Sequence, residues 1–139
     1  MRSLWFTSVT SGNENTIAGN APDTGAPLML TAVRDGKLTL KRMVELLSGN
    51  AARIFGLSPA KGSLNVGADA DMVVADLENE FVVDNKKLLT KARDITPWYN
   101  GFKLIGKPIH TIVRGRVVMR ERKIDETAAG WGKWLKPKG

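Results

Sequence analysis

The period of the apolar residues changes near Lys61, and that change most constrains what this 139-residue chain can fold into. Before it, Leu40, Met43, Val44 and Leu47 recur at i, i+3, i+4 and i+7, the stripe of an amphipathic helix. After it, glycines punctuate short β-branched runs such as Met72-Val73-Val74-Ala75, which read as buried strands. A helix stripe needs a second layer to lie on, and short strands need neighbours along their edges. Helices first and strands second is an α+β pattern, or two pieces of a larger body.

The finer reading follows local chemistry. Residues 1 to about 20 are rich in Ser, Thr, Asn and Gly without a sustained period, which reads as loop or poor order. Leu28-Met29-Leu30 opens an apolar run that stops at Asp35-Gly36, predicting a helix over 26–34 with Pro27 in its first turn. Thr39 is placed to cap the striped helix. Gly49-Asn50 is expected to interrupt it, with Asn50 capping a short helix over 51–55 and Gly56 stopping that helix. Phe81-Val82-Val83 predicts a second strand. Residues 109–113 and 117–119 predict a hairpin turning at Arg114-Gly115. Asn85 to Lys91 reads as a short helix or turn. Trp131 and Trp134 in the tail read as covers for a neighbouring surface.

Composition narrows the function classes. Hydrophobic residues make up 42% of the chain, enough for a core. Cysteine is absent, which removes disulfides, thiolate zinc sites and a cysteine nucleophile, and fits a reducing cytoplasm. The apolar patch Leu4-Trp5-Phe6 is too short for a signal-peptide core, and no apolar run reaches membrane length, so the chain is expected to be soluble. The net charge of +7 raises the question of a nucleic-acid or membrane partner. The basic residues are scattered and lack interleaved aromatics, so a solvated surface is the better reading.

Few residues carry obvious chemistry. His110 is the only histidine, so the chain cannot form a His-His zinc pair, and no Ser or Cys stands beside it. Asp69 and Asp71, two apart, would share a face on an extended strand and could do acid–base work or hold a metal. They sit in a glycine turn entering a strand, however, where Asp usually accepts backbone N–H groups, and Asp76 at the strand's end reads the same way. Neither GxGxxG nor GxxxxGK[ST] occurs.

Three stretches go further together than apart. They are Leu46-Leu47-Ser48-Gly49-Asn50-Ala51-Ala52-Arg53-Ile54-Phe55-Gly56-Leu57, then Lys61-Gly62-Ser63-Leu64-Asn65-Val66-Gly67-Ala68-Asp69-Ala70-Asp71-Met72-Val73, and then Gly101 to Pro108 continuing through Thr111-Ile112-Val113-Arg114-Gly115. In this order and spacing they resemble the carboxy-terminal end of the cyclic amidohydrolases: dihydroorotase, dihydropyrimidinase or hydantoinase, and allantoinase. The resemblance covers residues from about 18 to 137. Ala51 stands where the family commonly has proline.

The resemblance implies the last helices of a (β/α)8 barrel followed by the carboxy-terminal strands of a small β-sandwich. The implied divisions are a poorly ordered segment 1–17, barrel end 18–57, sandwich part 58–125 and tail 126–139. The tail, with Gly130-Trp131-Gly132, resembles an extension that hydantoinases lay on their own or a neighbouring subunit. The family opens or closes a cyclic amide or ureide ring with one or two metal ions, usually zinc, that make hydroxide from bound water. Its ligands are a His-x-His pair, a bridging lysine and two further histidines, with an aspartate as general base. None of these matches a position in this chain, so no catalytic or metal residue is assigned. The only implied site is a substrate loop, Gly19, Asn20, Ala21 and Pro22, with Asp23-Thr24 near the family's Glu-Thr.

The resulting expectation is part of a cytoplasmic cyclic amidohydrolase, homo-oligomeric in full length, inactive and zinc-free as this chain alone. The rival readings are a non-enzymatic module that docks on a barrel-containing partner and, last, a basic nucleic-acid binder.

Overall fold

The computed structural model describes residues 3–6, 21–90, 93–94 and 97–136. Its elements are β1 (Ser3–Phe6), α1 (Ala21–Arg34), α2 (Leu40–Val44), a π-helical stretch (Glu45–Gly49), α3 (Asn50–Ile54) and six further strands. These are β2 (Met72–Asp76), β3 (Glu80–Val82), β4 (Lys103–Ile105), β5 (Pro108–Val113), β6 (Arg116–Arg120) and β7 (Lys123–Ile124). All strand pairs are antiparallel, in a five-stranded sheet ordered β1-β2-β5-β6-β7 and a separate β3-β4 pair. The α+β organisation expected from the change of period is present.

The helix stripe finds its second layer. Leu30 of α1 and Met43 of α2 are buried against Val73 and Ala75 of β2 and Ile105 of β4, with Met29, Val33, Leu40, Val44 and Leu47 packed around them. Removing this apolar surface from water is the main stabilising term, about 25 cal/mol per Å². Two polar links tie the layers. The Thr31 hydroxyl accepts the Ile105 N–H at 3.0 Å and donates to the Pro27 carbonyl at 2.8 Å. The Arg34 guanidinium donates to Glu80 at 2.7 Å across the surface.

Several local expectations hold. Thr39 caps α2, its hydroxyl accepting the Arg42 N–H at 3.2 Å. Gly56, at φ +64°, ends the helical run, and Leu57 N–H closes back onto Ala52 O at 2.8 Å. The strand at 72–76 is buried from Val73 to Asp76. The predicted hairpin forms, with Arg114 at φ 46° and Gly115 at φ 79° in its turn. Of the 85–91 stretch, Asn85–Lys87 is a single 3-10 turn.

Other expectations are corrected. Ser3–Phe6 is a strand, not loop. The apolar run Leu4-Trp5-Phe6 has strand propensity and meets the otherwise open edge of β2, in register from Ser3↔Asp76 to Phe6↔Val73. Helix α1 begins at Ala21, so Pro27 lies in its interior rather than its first turn. Thr24, Pro27 and Leu30, spaced by three, are all buried on one stripe. That burial offsets the interior proline's cost of about 3 kcal/mol. Gly49-Asn50 does not break the helix. Gly49 keeps helical angles, φ −63° and ψ −44°, and Asn50 caps nothing; its side chain accepts from Arg53 instead. The Gly62 carbonyl packs beside it, 3.7 Å from where a Cβ on Gly49 would stand, an ordinary contact distance. The second strand is shifted by one residue to Glu80–Val82, and Val83 pairs irregularly through Phe102 and Gly101.

Candidate functional site

The second motif, Lys61 to Val73, gathers two carboxylates around the buried Lys61 ammonium. Lys61 follows the helical run, its N–H donating to Leu57 O at 3.0 Å, and its side chain is 6% exposed. The ammonium lies 2.8 Å from Asp69 Oδ2 and is also bonded to Asp71 Oδ2. The other Asp71 oxygen accepts the Arg114 N–H at 2.7 Å, and the Gly115 N–H donates to Ala70 O at 3.0 Å. One lysine and two aspartates thus bind the end of the helical run, the glycine turn and the β5–β6 hairpin together. Burial pushes the Lys61 amine down, but the hydrogen bonds and charges of Asp69 and Asp71 outweigh it, and its pKa is raised above 10.5. The amine stays protonated, so it is no nucleophile.

Gly62 explains why a glycine follows this lysine. At φ +85°, a Cβ there would stand 3.1 Å from Ser48 O and 3.2 Å from Gly49 Cα. The loop therefore touches helix backbone directly, and that contact seats Lys61.

The aspartates consequently play the structural part that their turn position suggested. Asp71 serves an ammonium and a backbone amide, and Asp69 serves the same ammonium. Asp76 accepts the Glu78 N–H at 3.0 Å and the Asn79 side-chain amide at 3.4 Å. His110 lies in β5 opposite Val74 and Arg120, and its Nδ1 accepts the Glu121 N–H at 3.3 Å.

Trp131 covers the hairpin turn. Its indole N–H donates to Val113 O at 2.8 Å, its carbonyl accepts from Arg114, and the Arg114 and Arg116 guanidinium carbons lie 5.0 and 5.4 Å from the ring centroid. Trp134 is instead 81% exposed.

Of the expected substrate loop, Gly19 to Pro22, two residues are described. Gly19 and Asn20 lie outside the described residues. Ala21 and Pro22 open α1. Next to them, the Asp23 carboxylate accepts the Thr90 N–H at 2.8 Å, and Thr24 is buried. The first turn of α1 is thus held by the segment after β3.

The donor set does not fit a zinc centre of the kind the resemblance implies. The sequence offers one histidine and no cysteine, one nitrogen of that histidine is already hydrogen-bonded, and Asp69 and Asp71 are committed to Lys61. Among the described residues no group of three His, Cys, Asp or Glu side chains is placed to hold an ion. No helix among them is long and apolar enough to cross a membrane.

Sequence reasoning places Lys61 at the head of the second stretch and Arg114 in the hairpin turn, but assigns a partner to neither, nor to Thr31. Lys61 carries one usable signal: a lysine beside glycine, ten residues before Asp71. Nothing local marks the partners of Thr31 and Arg114, because Ile105 and Asp71 are far away in the chain.

Known proteins match this chain over most of its length. The model of the amidohydrolase family matches residues 7–118. A dihydroorotase of Anaeromyxobacter dehalogenans (strain 2CP-C) is 46% identical over 103 residues, covering 74% of this chain and 23% of that protein. An L-hydantoinase of Paenarthrobacter aurescens is 37% identical over 111 residues, covering 77% of this chain and 24% of that protein. Among solved structures, a D-hydantoinase (dihydropyrimidinase) from Thermus sp. superposes with a TM-score of 0.68 at 33% identity, covering 73% of this chain and 22% of that one. The chain spans under a quarter of the length of these relatives. By sequence and by fold, then, the chain belongs to the amidohydrolase family.

Proposed function

We propose that this chain forms the carboxy-terminal part of a metal-dependent cyclic amidohydrolase, which hydrolyses or closes the C–N bond of a cyclic amide or ureide. The observation that carries this reading is the joint match to a dihydroorotase and an L-hydantoinase, two ring-acting enzymes, over about three quarters of the chain. In this reading residues 18–57 are the last barrel helices, 58–125 the carboxy-terminal share of the sandwich and 126–139 the tail. The segment Gly19, Asn20, Ala21 and Pro22, of which Ala21 and Pro22 open α1, is the part that reaches substrate. The full-length enzyme is a cytoplasmic homo-oligomer with no nucleic-acid or membrane partner. The scattered basic residues and the absence of cysteine support this.

The chain alone is inactive in this reading, because its donors do not fit zinc and the groups that would grip a metal stand elsewhere in the family. The purified chain, with and without added zinc, is expected to leave dihydroorotate, hydantoin and allantoin unchanged. Metal-dependent turnover of any of them would overturn the inactivity. A chimera carrying this chain in place of the matching 103 residues of the Anaeromyxobacter dihydroorotase is expected to fold and turn over dihydroorotate. A folded but inactive chimera would count against the family role.

One observation favours a second reading, a non-enzymatic module docking on a barrel-containing partner. Ile54, Phe55, Leu64 and Val66 are 78%, 62%, 55% and 107% exposed, on α3 and the loop that follows it. Large exposed apolar groups gathered in one region mark interaction surfaces. A stable monomer that binds no hydrophobic dye would dispose of this reading.

A further inference from the structure

Asn100 is the only asparagine of this chain that glycine follows. That pair is chemically distinct. The amide nitrogen of the next residue can attack an asparagine carboxamide, and glycine puts no side chain in the way of the five-membered ring that forms. The fold leaves the pair in the open. Asn100 and Gly101 are both exposed, in the turn between Pro97–Tyr99 and β4. Gly101 stands at φ +83°, and nothing lies within 4 Å of where its Cβ would be.

Both reacting groups are nevertheless held. The Gly101 N–H donates to Val83 O at 2.9 Å, and the Val83 N–H donates back to Phe102 O at 2.9 Å, so the turn is fastened to the end of the β3–β4 pair. The Asn100 side-chain oxygen accepts the Asn85 N–H at 3.1 Å, which ties the carboxamide to the neighbouring turn. An amide nitrogen becomes nucleophilic only when its proton is gone. A proton bonded to Val83 O is withdrawn from solvent base, for the same reason that such an amide exchanges slowly with water. Rupture of the Gly101–Val83 bond therefore admits hydrogen exchange and ring closure together.

We propose that Asn100–Gly101 is a self-deamidating modification site whose rate is set by opening of the Gly101–Val83 hydrogen bond. The substrate is the chain's own carboxamide and the co-reactant is water. Base removes the Gly101 N–H proton, and that nitrogen's electron pair forms a bond to Asn100 Cγ. The Cγ–Nδ2 bond breaks, Nδ2 takes up a proton, and ammonia leaves a succinimide. Water then adds to one of the two ring carbonyls, and that carbonyl's bond to the ring nitrogen breaks. Opening at Cγ gives aspartate, which keeps an oxygen for the Asn85 N–H. Opening at the main-chain carbonyl gives isoaspartate. The main chain then runs through Cβ and Cγ, is longer by a methylene, and carries Gly101 and Phe102 out of register with Val83.

The test incubates the full chain in mildly alkaline buffer, folded and in urea, and follows each asparagine by peptide mapping with mass spectrometry. Hydrogen exchange of the Gly101 amide is measured on the folded chain. Asn100 is expected to react ahead of every other asparagine in urea, and at least about tenfold more slowly in the folded chain. The slowing should match the exchange protection of Gly101 to within about threefold, since one opening governs both. In Asn100→Gln, whose longer side chain must close a less favoured six-membered ring, conversion at this position should disappear over the same incubation. The isolated isoaspartate form should exchange its Val83 amide faster than the unaltered chain. Equal rates in the folded and unfolded chains overturn the proposal. So does slowing that differs from the Gly101 protection by more than the stated margin, a Gly101 amide that exchanges unprotected, or another asparagine that reacts first in urea.

Discussion

The hydroxyl of Thr31 joins helix α1 to strand β4 by accepting the Ile105 N–H at 3.0 Å while donating to Pro27 O at 2.8 Å. Ile105 is 5% exposed, so water is poorly placed to replace that acceptor. Thr31→Val keeps the shape but leaves a buried N–H unsatisfied, and is expected to cost about 1–3 kcal/mol in urea unfolding. Thr31→Ser, which keeps the oxygen, should lose less than half of that. Equal loss in the two variants would show that packing of the methyl group, not the hydrogen bond, links the layers.

Lys61 is held by two carboxylates, and removing it strands them. Lys61→Met is expected to destabilise by about 3 kcal/mol, the low end for breaking a buried pair, because Asp69 reaches solvent. Adding Asp71→Asn should recover part of the loss. The pH dependence has a definite sign. Because the folded-state pKa lies above 10.5, the lysine's contribution is complete below that pH and disappears as pH climbs through the raised value. Unfolding free energy measured from pH 9 upward should show this alkaline loss in the unaltered chain and lack it in Lys61→Met, the pH range following from the same linkage.

Gly62→Ala combines a left-handed backbone with a direct clash on the helix. A methyl group at φ +85° would stand 2.5 Å from Ala52 Cβ, 3.1 Å from Ser48 O and 3.2 Å from Gly49 Cα. The expected loss is roughly 2–4 kcal/mol, the sum of the left-handed penalty and overpacking. Gly67→Ala is the control. Gly67 is also left-handed, at φ +93°, but nothing lies within 4 Å, so only the conformational part, about 1–2 kcal/mol, is expected. Thermal unfolding of the pair separates the two contributions.

The tail is fastened by Trp131 and Asp125. Trp131→Ala removes the bond to Val113 O and both guanidinium–ring contacts, and should cost about 1 kcal/mol. Amide exchange at Ala128, Ala129 and residue 131 should quicken with it. The Thr127 side chain, then its backbone and Arg116, hold the Asp125 carboxyl below 3.8. Its contribution is therefore complete above pH 3.8 and is lost as pH falls through the lower folded value. Amide exchange in 126–128 should acquire this acid sensitivity in the unaltered chain, and Asp125→Asn should abolish it.

Much of this architecture was legible without coordinates where it rests on local rules. Leu40, Met43, Val44 and Leu47 declared a helix by spacing, Thr39 its cap and Gly56 its stop, because these depend on residues within one or two turns. The reading failed at Gly49 and at Pro27 for one shared reason. Each residue breaks helices when judged by local propensity, and each is tolerated because something distant covers it. For Gly49 that is the Gly62 loop, and for Pro27 the core facing Leu30. The expected substrate loop, Gly19 to Pro22, rests on resemblance alone, since no charge, periodicity or capping pattern marks it.

The sequence by itself determined the class of fold, the sites of most strands and turns, the shortage of metal donors and the likeness to cyclic amidohydrolases. Side-chain type and near-neighbour spacing suffice for these. Tertiary structure alone decided that Lys61 neutralises Asp69 and Asp71, that Thr31 meets Ile105 and that Ser3–Phe6 closes the edge of β2. A hydrogen bond or ion pair acts only at contact distance. Which distant residues reach contact is set by how whole layers pack, and no local pattern encodes that.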